Sequence, residues 1–126
     1  MLGTAVVHPV LLSLDLVETR GFYHDKLGLD ILVENEHAIE FRCGSGTKLV
    51  VTKSTTGTTD MQTKIGWEVE DLQAELDELR SRGVPIEEYD LPDLKTEKGI
   101  ADFGFAWMAW IVDPGKNALS IIQVKG

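Results

Sequence analysis

The chain has 126 residues, 43% of them apolar and 26% charged, which suits one soluble domain with one core. No apolar run is long enough to cross a bilayer, and a formal net charge of −9 argues against nucleic acid or anionic membrane as partners, because both select for basic surface. Cys43 is the only cysteine, so neither an intrachain disulfide nor a cysteine-rich zinc site can form. The N-terminus, MLGTAVVHPV, lacks the basic segment and apolar core of a secretory signal, so a cytoplasmic protein is expected.

The first stretch, His8 to Leu29, predicts a strand, an Asp15 turn and an amphipathic helix closing at Gly28. Val6, His8, Val10, Leu12 and Leu14 would share one face of the strand, and Pro9, which has no amide donor, would make it irregular or place it near an edge. Asp15 can cap the helix, Phe22, Tyr23 and Leu27 would anchor it, and Gly28 can take a left-handed C-cap. Leu29–Val33, Ala38–Arg42 and Leu49–Thr52 read as three short strands, with turns at Asn35 and at Gly44-Ser45-Gly46. The polar stretch 55–63 reads as a linker.

The pattern then repeats, with Asp71-Leu72 standing 56 positions after Asp15-Leu16. Ile65–Glu70 would be a strand, with Ile65, Trp67 and Val69 against a helix. Asp71 would cap that helix, which carries a Leu72, Leu76 and Leu79 stripe, the small Ala74 at a packing position and a closing Gly83. Val84–Tyr89 would form a strand, Asp90–Asp102 an irregular loop, Phe103–Val112 an aromatic strand, Asp113–Asn117 a turn and Ala118–Val124 the last strand. The expected class is α+β. A βαβββ order occurs twice, in module 1–54 and module 64–126 of a single domain, with curved mixed sheets around a cleft and helices outside.

Leu14-Asp15-Leu16, the run Gly21 to Leu29 (GFYHDKLGL), Val69-Glu70-Asp71-Leu72, Arg82-Gly83-Val84 and the ending Trp110 to Ser120 occur in order over nearly the whole chain. Together they resemble the vicinal oxygen chelate superfamily, also called glyoxalase/bleomycin resistance/dioxygenase. Its ending is aromatic-x-Asp-Pro-x-Gly-Asn; here Gly115 and Lys116 have exchanged places. The resemblance implies a homodimer and ligand positions on the first and last strand of each module. These fall on His8, Val50, Lys64 and Ser120, of which only His8 is a standard metal ligand. No metal and no cofactor is therefore expected.

Alternation places His8, Val10 and Leu12 on the cleft beside Lys64, Gly66 and Glu68, with Ser120 and Ile122 from the last strand. Val50, Met108 and Trp110 complete the expected ligand-binding set. The leading expectation is a metal-independent small-molecule-binding protein of the bleomycin-resistance type. The alternative is a lyase, isomerase or dioxygenase-like enzyme in the same cleft, with His8 and Glu68 as catalytic candidates, with or without a divalent metal.

Overall fold

The computed structural model describes residues 1–55 and 62–126; most of the expected linker 55–63 lies outside the described residues. The first module runs through β1 (Val10–Ser13), α1 (Leu16–Arg20), β2 (Asp30–Glu34), β3 (Ala38–Arg42) and β4 (Lys48–Lys53). The second contains β5 (Thr63–Glu68), α2 (Leu72–Ser81), a small hairpin of β6 (Asp90–Leu91) and β7 (Leu94–Lys95), then β8 (Ala101–Asp102), β9 (Ala106–Val112) and β10 (Ala118–Val124). The first sheet has the order β1-β4-β3-β2 and the second β5-β10-β9-β8. In each, the first strand lies parallel to the last and the remaining pairs are antiparallel. This is the expected α+β architecture of two βαβββ-like modules. No helix among the described residues is long and apolar enough to cross a membrane.

Both helices start as the aspartates dictate. The Asp15 carboxylate accepts the Val17 and Glu18 amides at 2.9 and 3.2 Å, and Asp71 accepts the Ala74 amide at 3.1 Å; each satisfies donors that a helix start leaves open. Their lengths differ. α1 passes without a break into a π-helical segment, Gly21–Lys26, before Gly28 turns the chain at φ +79°, whereas α2 ends directly at Gly83, φ +78°. The wider turn absorbs one extra residue between cap and glycine. Leu72, Leu76 and Leu79 are buried as their spacing predicts, and Glu78 pairs with Arg82 at 2.8 Å. Ala74, expected at a packing position, is exposed.

Several boundaries depart from expectation. β1 begins only at Val10, and Val6 and Val7 are exposed, because Pro9 has no amide to continue the ladder and its carbonyl makes the last contact, with the Val50 amide. Val84–Tyr89 forms no strand. It keeps a backbone contact to the sheet, the Glu87 amide donating to the Trp110 carbonyl at 2.9 Å, and the strand that pairs with β9 is β8, from the segment expected to be an irregular loop. Phe103 and Phe105 are not in the aromatic strand either; they sit in the turn joining β8 to β9, where Gly104 takes φ +85° and both rings are exposed.

Helix-facing residues of both sheets share one core, with Tyr23, Phe41, Ile39 and Val51 from the first module and Leu76, Ile111 and Leu119 from the second. A buried polar junction joins the two. The Tyr23 hydroxyl donates to Asp113 Oδ2 at 2.6 Å, and the Asn117 amide donates to Oδ1 at 2.7 Å. Asn117 Nδ2 then reaches across to the Leu12 carbonyl at 2.9 Å. Gly115 packs so closely on that carbonyl that a β-carbon would collide with it. Glycine is therefore needed at 115 for space, and the left-handed position of the turn falls to Lys116, φ +67°. This is the physical counterpart of the exchanged Gly and Lys in the sequence.

Two outcomes test the junction. Lys116→Gly should stabilise the chain by about 1 kcal/mol in urea titration, since glycine takes φ > 0 without the β-carbon penalty. Burial, and then Asp113, push the Tyr23 hydroxyl far above its ordinary pKa. The unfolded chain ionises Tyr23 near pH ~10 and the folded chain does not, so this contribution is intact below that pH and falls by about 1.4 kcal/mol per pH unit above it. Tyr23→Phe should weaken folding by about 1.5–3 kcal/mol at neutral pH and flatten that part of the alkaline decline, read from urea curves at pH 7 and 11.

Candidate functional site

The sheet faces turned away from the helices carry the expected ligand-binding set in two rows per sheet. In the first sheet, Val10, Val50 and Glu40 lie in register, as do Leu12, Thr52 and Ala38. In the second, Gly66, Ser120 and Trp110 form one row, and Glu68, Ile122 and Met108 the other. Strand alternation alone produces this arrangement. His8 and Lys64 are the exceptions: His8 precedes β1 and joins no row, and a bulge pairs Thr63 with Ala118 and Ile65 with Leu119, leaving Lys64 as the inserted residue. The Trp110 indole donates to the Thr63 hydroxyl at 3.1 Å, so Thr63 occupies the face that plain alternation gives to Lys64.

Exposure divides the set. His8, Val10, Leu12 and Glu68 are exposed; Lys64, Met108 and Ile122 are half-buried; Val50, Trp110 and Ser120 are buried. Trp110 packs edge-on against Tyr89 at 5.6 Å and Phe103 at 6.3 Å, forming an aromatic wall at the end of the face. The Ser120 hydroxyl lies 3.5 Å from the Ile65 carbonyl, and a β-carbon on Gly66 would strike it. Glu40, opposite Val50, is held by Lys48 at 2.8 Å.

The metal that the resemblance brings with it does not fit these residues. Val50 presents an alkyl group, Ser120 a buried neutral hydroxyl and Lys64 an ammonium, so His8 would be the lone standard donor. Among the described residues, no three His, Cys, Asp or Glu side chains converge. His24 is engaged with the Leu29 carbonyl through Nδ1 at 2.8 Å, and His37 lies beside Glu36 on the surface.

Cys43 is half-buried rather than fully buried. Burial raises its thiol pKa, with the Trp67 indole acting in the opposite direction, so the thiolate is scarce at neutral pH. Sequence reading did not reveal two hollows in this region, of which Cys43 lines the first. One, of about 370 Å³, lies between the β3–β4 turn and β5, lined by Cys43, Gly44, Ser45, Lys48, Gly66 and Glu68 among others. The second, of about 270 Å³, opens on the helix side beside Leu79. Glu68 is the member of the expected set that lines both. The signal available in the sequence was the Gly-Ser-Gly turn, whose two glycines carry no side chain to fill the space. A third hollow, of about 750 Å³, runs over the β1–α1 turn, where Arg20 and Glu34 pair at 3.2 Å, and is lined by charges of both signs.

The sequence pattern of the Glyoxalase/Bleomycin resistance protein/Dioxygenase superfamily matches residues 5–119. No curated protein matches the chain in sequence. Solved structures do resemble it. A glyoxalase/bleomycin resistance protein/dioxygenase from Alicyclobacillus acidocaldarius is 20% identical, with a TM-score of 0.74 over 98% of this chain and 93% of that one. TnmS3, an antibiotic binding protein from a Streptomyces strain, is 20% identical, with a TM-score of 0.73 over 97% of each chain. A lactoylglutathione lyase from Agrobacterium tumefaciens is 19% identical, with a TM-score of 0.69 over 95% of this chain and 93% of that one. At such identities the structures establish the fold alone, while the sequence pattern covers most of the chain. The chain belongs to the Glyoxalase/Bleomycin resistance protein/Dioxygenase superfamily.

Proposed function

We propose that this chain binds a small, partly apolar molecule against the outer faces of its two sheets, without a metal, and acts as a homodimer. The observation that carries this reading is the donor chemistry at the four matched positions, His8, Val50, Lys64 and Ser120. A divalent ion needs several converging donors, and this set supplies one imidazole. What remains is an apolar surface of Val10, Leu12, Ile122 and Met108, with the Glu68 carboxylate and the wall around Trp110. Apolar walls with a few polar groups are ordinary for small-molecule sites. The antibiotic-binding character of TnmS3 supports a binding role on this fold; its ligand is not carried over.

The homodimer accounts for an otherwise uncovered surface. β1 is an edge strand, and Val10, Leu12 and Leu14 are 51%, 40% and 56% exposed. A second copy laid on this face would bury them and turn an open sheet into a walled cleft.

Each part has its own measurement. Metal-stripped protein, incubated separately with zinc, nickel, manganese and anaerobic ferrous iron and then desalted, should retain no stoichiometric metal by elemental analysis. Retention that vanishes in His8→Ala would favour the metalloenzyme reading. In sedimentation velocity at micromolar concentration the chain should run as a dimer, and Leu12→Glu should shift it to monomer while the far-ultraviolet circular dichroism stays unchanged. A monomer at every concentration in the parent chain would remove the dimer proposal.

A further inference from the structure

The two modules leave different things at the same place in the fold. Counted from the capping aspartates, Leu79 on α2 matches Tyr23 on α1, and Glu75 matches Thr19. Counted from the ends of the five-residue turns, Cys43 matches Asp113, and Ile111 matches Phe41. In the first module this place is full. The Tyr23 ring lies 5.2 Å from Phe41 with its hydroxyl on Asp113, and Thr19 donates to Ser13 at 2.7 Å. In the second module the matching residues instead line the cavity of about 270 Å³: Trp67, Val69, Glu75, Leu79, Ile111 and Ile121. The π-helical turn that widens α1 at Tyr23 has no counterpart in α2, and Leu79 carries no ring.

We propose that this cavity is a second ligand site, on the helix side of the second sheet, which takes a single-ring aromatic amine whose ring occupies the place held by Tyr23 in the first module. An apolar cavity of about 150 Å³ suffices for benzene, so this one holds a ring with a short side chain. The carboxylates specify the charge. Glu68 and Glu75 both line the cavity, both are exposed, and neither belongs to an ion pair among the described residues. An ammonium at the mouth would be attracted by both while the ring packs against Trp67, Leu79 and Ile121. Glu68 borders both this cavity and the face given the first binding role, but the ring site rests on Glu75, Leu79 and Ile121, which that face does not include, so either reading stands if the other fails.

The test titrates ¹⁵N-labelled full-length protein with tyramine, 4-ethylphenol and 3-(4-hydroxyphenyl)propionate while recording amide and indole shifts. Tyramine should cause saturable shifts at Glu75, Leu79, Ile121 and the Trp67 indole, with 4-ethylphenol weaker and the propionate inactive. Leu79→Tyr, which builds the missing ring into the chain, should abolish the tyramine response; Leu79→Phe serves if that variant does not fold. Glu75→Gln should weaken tyramine about tenfold and leave 4-ethylphenol unchanged, as loss of a charge-assisted contact requires. Absence of shifts at these groups in millimolar tyramine would overturn the site, as would an undiminished response in a folded Leu79→Tyr or Leu79→Phe variant. Equal affinity for tyramine and 4-ethylphenol would overturn the assignment of an amine.

Discussion

The Asp113 carboxylate has to be satisfied inside the protein, and much of the architecture follows from how that happens. It is buried, yet it receives the Tyr23 hydroxyl from one module and both the backbone and side-chain amides of Asn117 from its own turn. A buried carboxylate with fewer donors would cost several kcal/mol. Because one donor comes from the first module, satisfying the charge requires the modules to dock, and Asn117 strengthens the constraint by holding the Leu12 carbonyl. The tight seat of Gly115 and the left-handed Lys116 are consequences of bringing that turn against β1.

The opposite junction shows what happens without this constraint. The β3–β4 turn repeats the backbone pattern, with the Cys43 amide donating to the Thr47 carbonyl at 2.8 Å, where Asp113 donates to Asn117 at 3.0 Å. Its side chains do not bridge in the same way. The Thr47 hydroxyl turns back to the Gly44 carbonyl at 2.6 Å, and Cys43 offers a weakly polar thiol. One junction is closed by a buried carboxylate that must be hydrogen-bonded, and the other stays open as a groove over β5. The duplication therefore preserves the topology while making the two halves chemically unequal, and the place filled by Tyr23 in the first module borders a cavity in the second.

The same division shapes the outer faces. In the first sheet the row through Val50 is apolar apart from Glu40, which Lys48 holds; in the second, the matching row pairs Gly66 with Ser120 and ends in the packed Trp110. Gly66 leaves room for the Ser120 hydroxyl, and Trp110 is braced by Tyr89 and Phe103. Ring packing at this end is already largely satisfied within the chain, whereas the Val10–Leu14 edge is not. A ligand or a second copy gains most by covering the latter, since buried apolar area is what association rewards.

What the sequence determined by itself was everything written in local chemistry. Asp15 and Asp71 as helix caps, Gly28 and Gly83 as left-handed stops, the leucine stripe of α2 and the alternation on the long strands could all be read directly, because each depends on neighbours within a few residues. The same local reading placed Val10 with Val50 on the first sheet and Ser120 with Ile122 on the second, each pair on its sheet's face away from the core, and set Trp67 against the core. Only the tertiary structure decided the rest. That Val84–Tyr89 touches β9 through the Glu87 amide and the Trp110 carbonyl without forming a strand, while β8 pairs with Trp107 and Met108, is a long-range outcome. The place of Lys64 depends on a bulge that appears when β5 pairs with the distant β10, Ile65 opposite Leu119, and no periodicity within β5 records it. Asp113 and Tyr23 stand 90 residues apart, so their bond, and the empty counterpart beside Leu79, exist only once the modules have folded against each other.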